Sequence, residues 1–354
     1  MSGAAERLGG LWALLRQGVW LAAVVVAIAA LAQGFAPLSL KGTITYAFVL
    51  LLIVLALYVF SGLTGILSFG HVGFVAIGAY VGALLTITPA LKRSLFSAMP
   101  GFLHWVLDTQ AGFVLAALAA GAVAALLGAL FAIALARLDG MAASISTLAL
   151  LAIVHTVLLE WDQVTRGSSS VIGVPRDTTI TTAAAVACVA LIAVSLVQGS
   201  RLGLRLKAAR ADAIAARACG LNVVRDRRVA LILSAFLAGV AGSLFAQFNT
   251  TFSPNTFYLD LTFTTVAMLI LGGMRSLVGA FVGVAVVTVV TEAMQRVEDD
   301  GFGPLHGLPA GAPQLVLALL LIAVLIVRPE GIAGRPLAAS PARLRGVLAL
   351  RGGR

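Results

Sequence analysis

The side chains able to do chemistry in this sequence are few, and their spacing keeps them apart. His71 stands in a glycine-rich apolar stretch, SGLTGILSFGHVGFVAIGAYVGALL (Ser61–Leu85), with Ser61, Thr64 and Ser68 as polar neighbours. A lone histidine without a nearby carboxylate is a poor proton relay and cannot hold a metal by itself. Its expected role is to hydrogen-bond backbone carbonyls freed among the glycines; the alternative is contact with a substrate. Asp260 and Glu292 are the nearest acids to the interior of apolar runs, and both fall near the ends of theirs. Cys188 and Cys219 have neither bridging nor metal-ligand spacing. No G-x-x-x-x-G-K-[ST] phosphate loop, Ser-His-Asp set or paired carboxylate occurs. Neither enzymatic activity nor a cofactor bound by this chain is expected.

What the spacing does offer is a surface. The basic loop GSRLGLRLKAARADAIAARACGLNVVRDRR (Gly199–Arg228) places Ala209, Ala213, Ala216 and Gly220 at steps of four, three and four. In one continuous helix those small residues share a face. Gly220 suits a left-handed helix stop, and Asn222 can cap the helix that follows. A short helix with a smooth face, ringed by arginines, has the shape of a coupling helix, which a membrane subunit offers to a separate motor protein. The competing reading is an ordinary basic loop that only fixes topology.

These residues are positioned by apolar runs. Hydrophobic residues make up 60% of the 354-residue chain and charged ones 11%, and mean hydropathy is +1.06. A soluble domain carries roughly a quarter charged residues, so an all-α polytopic membrane protein is expected. Ten candidate spans lie near Val19–Ala36, Ile44–Phe60, Leu63–Ile87, Gly112–Leu135, Met141–Leu159, Ile180–Val197, Val229–Phe248, Leu261–Gly273, Ser276–Met294 and Pro313–Val327. With the N-terminus inside, eighteen of the 24 Lys and Arg residues fall on the cytoplasmic side. That bias predicts both termini inside and makes nucleic acid an unneeded explanation for the net charge of +10. The expected layout is a cytoplasmic N-terminus over 1–18, a transmembrane body over 19–334 with the loop 199–228, and a basic cytoplasmic tail over 335–354. No cleavable signal peptide is expected.

Six glycines within Ser61–Leu85 each weaken a helix by roughly 1 kcal/mol relative to alanine. They favour an unwound stretch, which at membrane depth must find polar partners in protein or a water-filled cavity. Ser68, Gly70, His71, Gly73 and Phe74 are therefore candidates for lining a solute pathway. A second interruption, LILGGMRSLVGAFVG (Leu269–Gly283), adds Gly272 and Gly273, since paired interruptions point weakly to a transport site. Close helix packing through small residues is the alternative for both. Lacking both a nucleotide motif and a deep ion site, the chain is expected to be a pore subunit powered by a partner.

The stretch SGLTGILSFGHVGFVAIGAYVGALL resembles the "G-Q-L-S-L-G-H-A-A-F-F-G-I-G-A-Y" region of the M-type permease subunit of branched-chain amino acid ABC importers. GSRLGLRLKAARADAIAARACGLN, SAFLAGVAGSLFAQ, SPNTF, the Leu269–Gly283 segment and VRPEGIAG (Val327–Gly334) follow in the family's order. The resemblance implies that Ala215, Ala216 and Gly220 belong to an A-A-x-x-x-G core that docks ATPases, with Asp212 at the family's acidic position. It also implies a second, H-type permease subunit, two ATPase subunits that bind ATP and magnesium, a periplasmic solute-binding protein and a bacterial inner-membrane location. Arg275 stands where the family writes glycine, and Thr165–Ser170 departs from the family's outer loop. Urea or short amides thus remain alternative solutes, and an ion-coupled transporter or channel remains an alternative machine.

Overall fold

The structure is a computed structural model that describes residues 2–96, 99–300, 312–328 and 330–333. The tail 335–354 lies outside them. The described residues are mostly helical, their sole strand-like pairing being the isolated bridge between Val171 and Phe252. In chain order the helices are α1 (Ser2–Phe35), α2 (Leu38–Leu57), α3 (His71–Thr86), α4 (Pro89–Leu95), α5 (His104–Asp108), α6 (Phe113–Leu135), α7 (Gly140–Glu160) and α8 (Asp162–Thr165). They continue as α9 (Ile180–Gly199), α10 (Arg201–Ala211), α11 (Ala213–Ala218), α12 (Val223–Asn249), α13 (Leu259–Gly272), α14 (Leu277–Asp300) and α15 (Ala312–Val327).

Eight of these helical segments are long and apolar enough to cross a membrane, and α3 and α15 are shorter apolar helices. Together they occupy the ten segments expected from the sequence. One expected span differs. The run placed at Leu63–Ile87 is not one helix: α2 passes through a π-helical turn over Tyr58–Gly62 and the helical backbone ends at Thr64, and α3 starts only at His71.

The centre is α2, whose residues from Phe48 to Leu57 are all buried, together with α3 and α12. Small residues let these backbones meet. A Cβ at Gly78 would lie 2.2 Å from the Gly239 carbonyl oxygen, and one at Gly242 would lie 2.0 Å from that of Val75. Lipid tails are as apolar as leucine, so packing of this kind, and not hydrophobic burial, must hold the helices together. The same closeness joins α13 to α14, where a Cβ at Gly272 would overlap the Gly279 carbonyl.

At one end of the bundle, α4 and α5 form a small cap. Lys92 is fully buried there, and its ammonium donates to the carbonyls of Val106, at 2.9 Å, and Thr109. Burial holds this lysine below its ordinary pKa, partly opposed by Asp108. At the other end lie α10, α11 and the turn Gly273–Ser276.

Candidate functional site

The glycine-rich stretch unwinds where its residue types require. Between Gly65, at φ +78°, and Gly70 no helix forms, and the freed amides find hydroxyls. Ile66 N donates to Thr64 Oγ1 at 3.2 Å, Ser68 N to Ser61 Oγ at 3.1 Å, and Phe69 N to Thr147 Oγ1 of α7 at 3.1 Å. Each of these would cost several kcal/mol if left bare in lipid. The three hydroxyls, two of them local and one from 78 residues away, are what make the break tolerable.

His71 opens α3 and is buried. It does not bond freed carbonyls, as its sequence context suggests. Its Nδ1 lies 2.7 Å from Ser68 Oγ and its Nε2 3.0 Å from Ser234 Oγ of α12. The ring thus ties the unwound segment to α12, the helix that leads directly out of the basic loop. Ser234 is a site residue that sequence reasoning missed. Only a small polar residue in an apolar helical run marked it.

Ser68, Gly70, Gly73 and Phe74 are buried within the chain alongside His71. A Cβ at Gly70 would lie 2.5 Å from the Thr147 carbonyl oxygen, whereas one at Gly73 would rest in ordinary contact with Val154 at 3.5 Å. Gly272 and Gly273 are likewise buried at the α13–α14 turn. There the last carbonyls of α13 are capped from the far end of the sequence. Ile332 N donates to Leu271 O at 2.8 Å and Ala333 N to Gly272 O at 2.9 Å, while Gly331, at φ +83°, lies against Gly273. The motif Glu330–Ala333 is therefore a helix cap supplied in trans along the chain.

Asp260 and Glu292, unrelated in the sequence, line one cavity of about 410 Å³ between α2, α13, α14 and α15. Thr43, Thr264 and Thr291 give it further polar wall, and Leu50, Leu261 and Met268 an apolar one. Glu292 accepts from Thr43 Oγ1 at 2.8 Å and pairs with Arg296 at 2.8 Å. A second cavity of about 440 Å³, mainly apolar, lies on the other side of Glu292 against α1. Neither cavity is lined by the unwound segment.

The basic loop departs from the single helix its spacing suggests. Asp212 is extended, at φ −155° and ψ 109°, and divides the loop into α10 and α11. Its carboxylate then caps α11, accepting from Ile214 N at 2.8 Å and Ala215 N at 3.0 Å. The expected small-residue face is consequently divided: Gly220 is exposed, whereas two of its alanines turn inward. Ala209 and Ala216 are buried together against Val223, with Leu221 beside them. Ala213 is half-buried, and what α11 presents outward is Ile214, 79% exposed, with Ala215 and Ala218 on the same arc.

The stop at Gly220 forms as its position demands. Its φ is +80°, its amide donates to Arg217 O, and Leu221 N reaches back to Ala216 O, a pairing that closes the helix end and seats Leu221 on the cluster. Asn222 Oδ1 accepts from Arg225 N at 3.0 Å, capping α12 as expected. Asp139, in the turn before α7, accepts from Arg227 at 2.5 Å and Arg217 at 3.2 Å. The bond from Arg227 is the main cause holding the Asp139 carboxyl below its ordinary pKa. Thus Asp139 ties α11, through Arg217, and α12, through Arg227, to the start of α7.

Among the described residues no group of three or more His, Cys, Asp or Glu could hold a metal ion. Residues 39–326 match the family model described as branched-chain amino acid transport system / permease component. The chain is 26% identical to the high-affinity branched-chain amino acid transport system permease protein LivM of Escherichia coli (strain K12), over 87% of this chain and 74% of that protein. It is 27% identical to LivM of Salmonella typhimurium, over 81% of this chain and 68% of that protein. It also resembles LivH of Salmonella typhimurium, 32% identical over 42% of this chain and 44% of that one. No solved structure matches.

Proposed function

The chain belongs to the branched-chain amino acid transport permease family, and from that premise we propose that it is an M-type subunit of an ATP-binding cassette importer. It is a multi-pass membrane protein, and permease proteins of two kinds, LivM and LivH, resemble it. In this reading it pairs with an H-type permease in a bacterial inner membrane, both termini cytoplasmic. Two ATPase subunits hydrolyse ATP with magnesium, and a periplasmic binding protein delivers a branched-chain amino acid. The chain itself performs no hydrolysis and holds no cofactor.

The observation that carries the reading is α11. A helix of six residues, capped at both ends and fastened through Arg217 to Asp139, which also holds Arg227 of α12, exposes a bare isoleucine at the end of the bundle where the basic residues gather. Among the described residues nothing covers it, and an apolar anchor set among arginines suits insertion into a groove on a motor protein. Ser68–Phe74 and Gly272–Gly273 are the moving backbone of the pathway, since both are glycine breaks rather than walls of an open cavity.

Ile214→Asp tests the reading. It replaces the exposed anchor with a charge and leaves the Ala209–Ala216–Val223 cluster intact. Detergent-purified complexes of this variant are expected to keep both permeases and lose stoichiometric ATPase, with transport falling in parallel. Full ATPase retention and unchanged uptake would reduce α11 to a topological anchor.

A further inference from the structure

The basic loop and the helix break, far apart in sequence, meet at one side chain. Arg210, in the last turn of α10, donates from Nη1 to the carbonyl oxygen of Gly62, the final residue of the π-helical turn, at 2.5 Å. Its Cγ and Cδ occupy the space beside Gly65, where a Cβ would lie 2.5 and 2.9 Å from them. The guanidinium therefore closes one end of the unwound segment by hydrogen bond, and its stem closes it by volume.

Among the described residues Arg210 makes no ion pair. Arg275 acts on it as a like charge. Burial first, and Arg275 second, pull the Arg210 guanidinium below its ordinary value. Arg275 sits in the α13–α14 turn, whose Met274 carbonyl oxygen would lie 2.8 Å from a Cβ at Gly62. A cation bonded to a helix-terminal carbonyl is favoured by the negative end of the helix dipole. Without a carboxylate and beside a second arginine, the bond is one that holds and can also be let go.

We propose that Arg210 is a latch, a positioning residue that keeps the cytoplasmic end of Gly65–Gly70 shut until movement of α11 pulls it from Gly62. The inference rests on α11 being the docking element. Only Ala211 and the extended Asp212 separate Arg210 from α11, so displacement of one must move the other. Arg275 sets the ease of release by repulsion, which gives the departure from the family's glycine a purpose.

The test uses the full chain in lipid nanodiscs, with Cys219→Ser and Cys188→Ala removing the native thiols and Leu67→Cys reporting on the unwound segment. Labelling by a water-soluble maleimide, without ATPases, is expected to quicken at least fivefold in Arg210→Met, which keeps the stem and loses the donor. Arg210→Lys should fall between, and Arg275→Gly should label more slowly than the parent. With partners added, Arg210→Met should capture ATPases normally but move several-fold less solute per ATP hydrolysed. Unchanged labelling overturns the latch, as does failure of both Arg210→Met and Arg210→Lys to assemble, which would make the residue merely structural. Faster labelling with an unchanged solute-to-ATP ratio overturns its role in coupling. If labelling quickens while no variant, nor the parent, captures ATPases, the latch stands and the docking role of α11 falls.

Discussion

Gly70 and Gly73 lie three residues apart and look equivalent in the sequence, yet the structure assigns them opposite tolerance to one methyl group. Gly70 has φ −89° and ψ −6°, a conformation open to alanine, so any cost there is steric. Its Cβ would sit 2.5 Å from the Thr147 carbonyl oxygen, about 0.9 Å closer than ordinary contact, and the obstacle is backbone that cannot rotate away. Pushing α7 back also stretches the bond from Phe69 N to Thr147 Oγ1. Overpacking of about 1–3 kcal/mol and part of a hydrogen bond of about 1 kcal/mol give roughly 2–3 kcal/mol. At Gly73 the new methyl would touch Val154 at 3.5 Å, an ordinary contact, and the helix gains up to about 1 kcal/mol from losing a glycine. Gly70→Ala is therefore expected to be about 3 kcal/mol less stable than Gly73→Ala, roughly a hundredfold in the folded-to-unfolded ratio. Reversible unfolding in mixed micelles, followed by tryptophan fluorescence as the denaturing detergent is raised, reads the difference directly. Equal midpoints, or the reverse order, would show that α7 is free to yield and that the contact at Gly70 is not a constraint.

Three further outcomes follow from named contacts. Ser234→Ala removes a partner of buried His71 and should destabilise by about 1–3 kcal/mol in the same micelle assay, while Ser234→Thr, which keeps a hydroxyl, should recover part of it. Asp139→Asn deprives the buried Arg227 of its carboxylate; because Asp139 is half exposed, the expected cost is about 1–2 kcal/mol, with faster proteolysis of the loop between α10 and α12 as the readout. Native Cys219 is exposed on the basic loop, so an impermeant maleimide should label it in inside-out vesicles and not in right-side-out ones, whereas a cysteine at Gln110 should show the reverse; identical sidedness would refute the proposed topology.

The positions of the apolar helices were legible because twenty-residue apolar runs have no alternative in a chain this hydrophobic. Glycine density also marked the unwound stretch, and a glycine followed by Leu221 and Asn222 marked the end of α11 and the start of α12. What escaped was governed by contacts across the chain. Asp212 could equally have been an exposed residue within one helix; that it breaks the helix follows from its carboxylate finding two free amides, which spacing alone does not show. Once the helix breaks, the alanine face turns inward, and the outward residue becomes Ile214. Likewise Arg210 reads as one more topological charge until Gly62, 148 residues earlier, is placed beneath it. His71 and Ser234 are separated by 163 residues, and no local pattern links them.

The cap on α13 has a bearing on how this protein is made. The carbonyls of Leu271 and Gly272 leave the ribosome about sixty residues before the amides of Ile332 and Ala333 that satisfy them. Until then the turn between α13 and α14 holds bare acceptors beside two adjoining glycines, and the floor beneath the bundle stays unfinished. A chain cut short in α15 has inserted nearly every helix and still lacks its closing stitch. The α13 cap is thus set only once Gly331–Ala333 have been made, and a membrane protease that recognises loose helix ends would have a direct means of telling a subunit that carries this cap from one that lacks it.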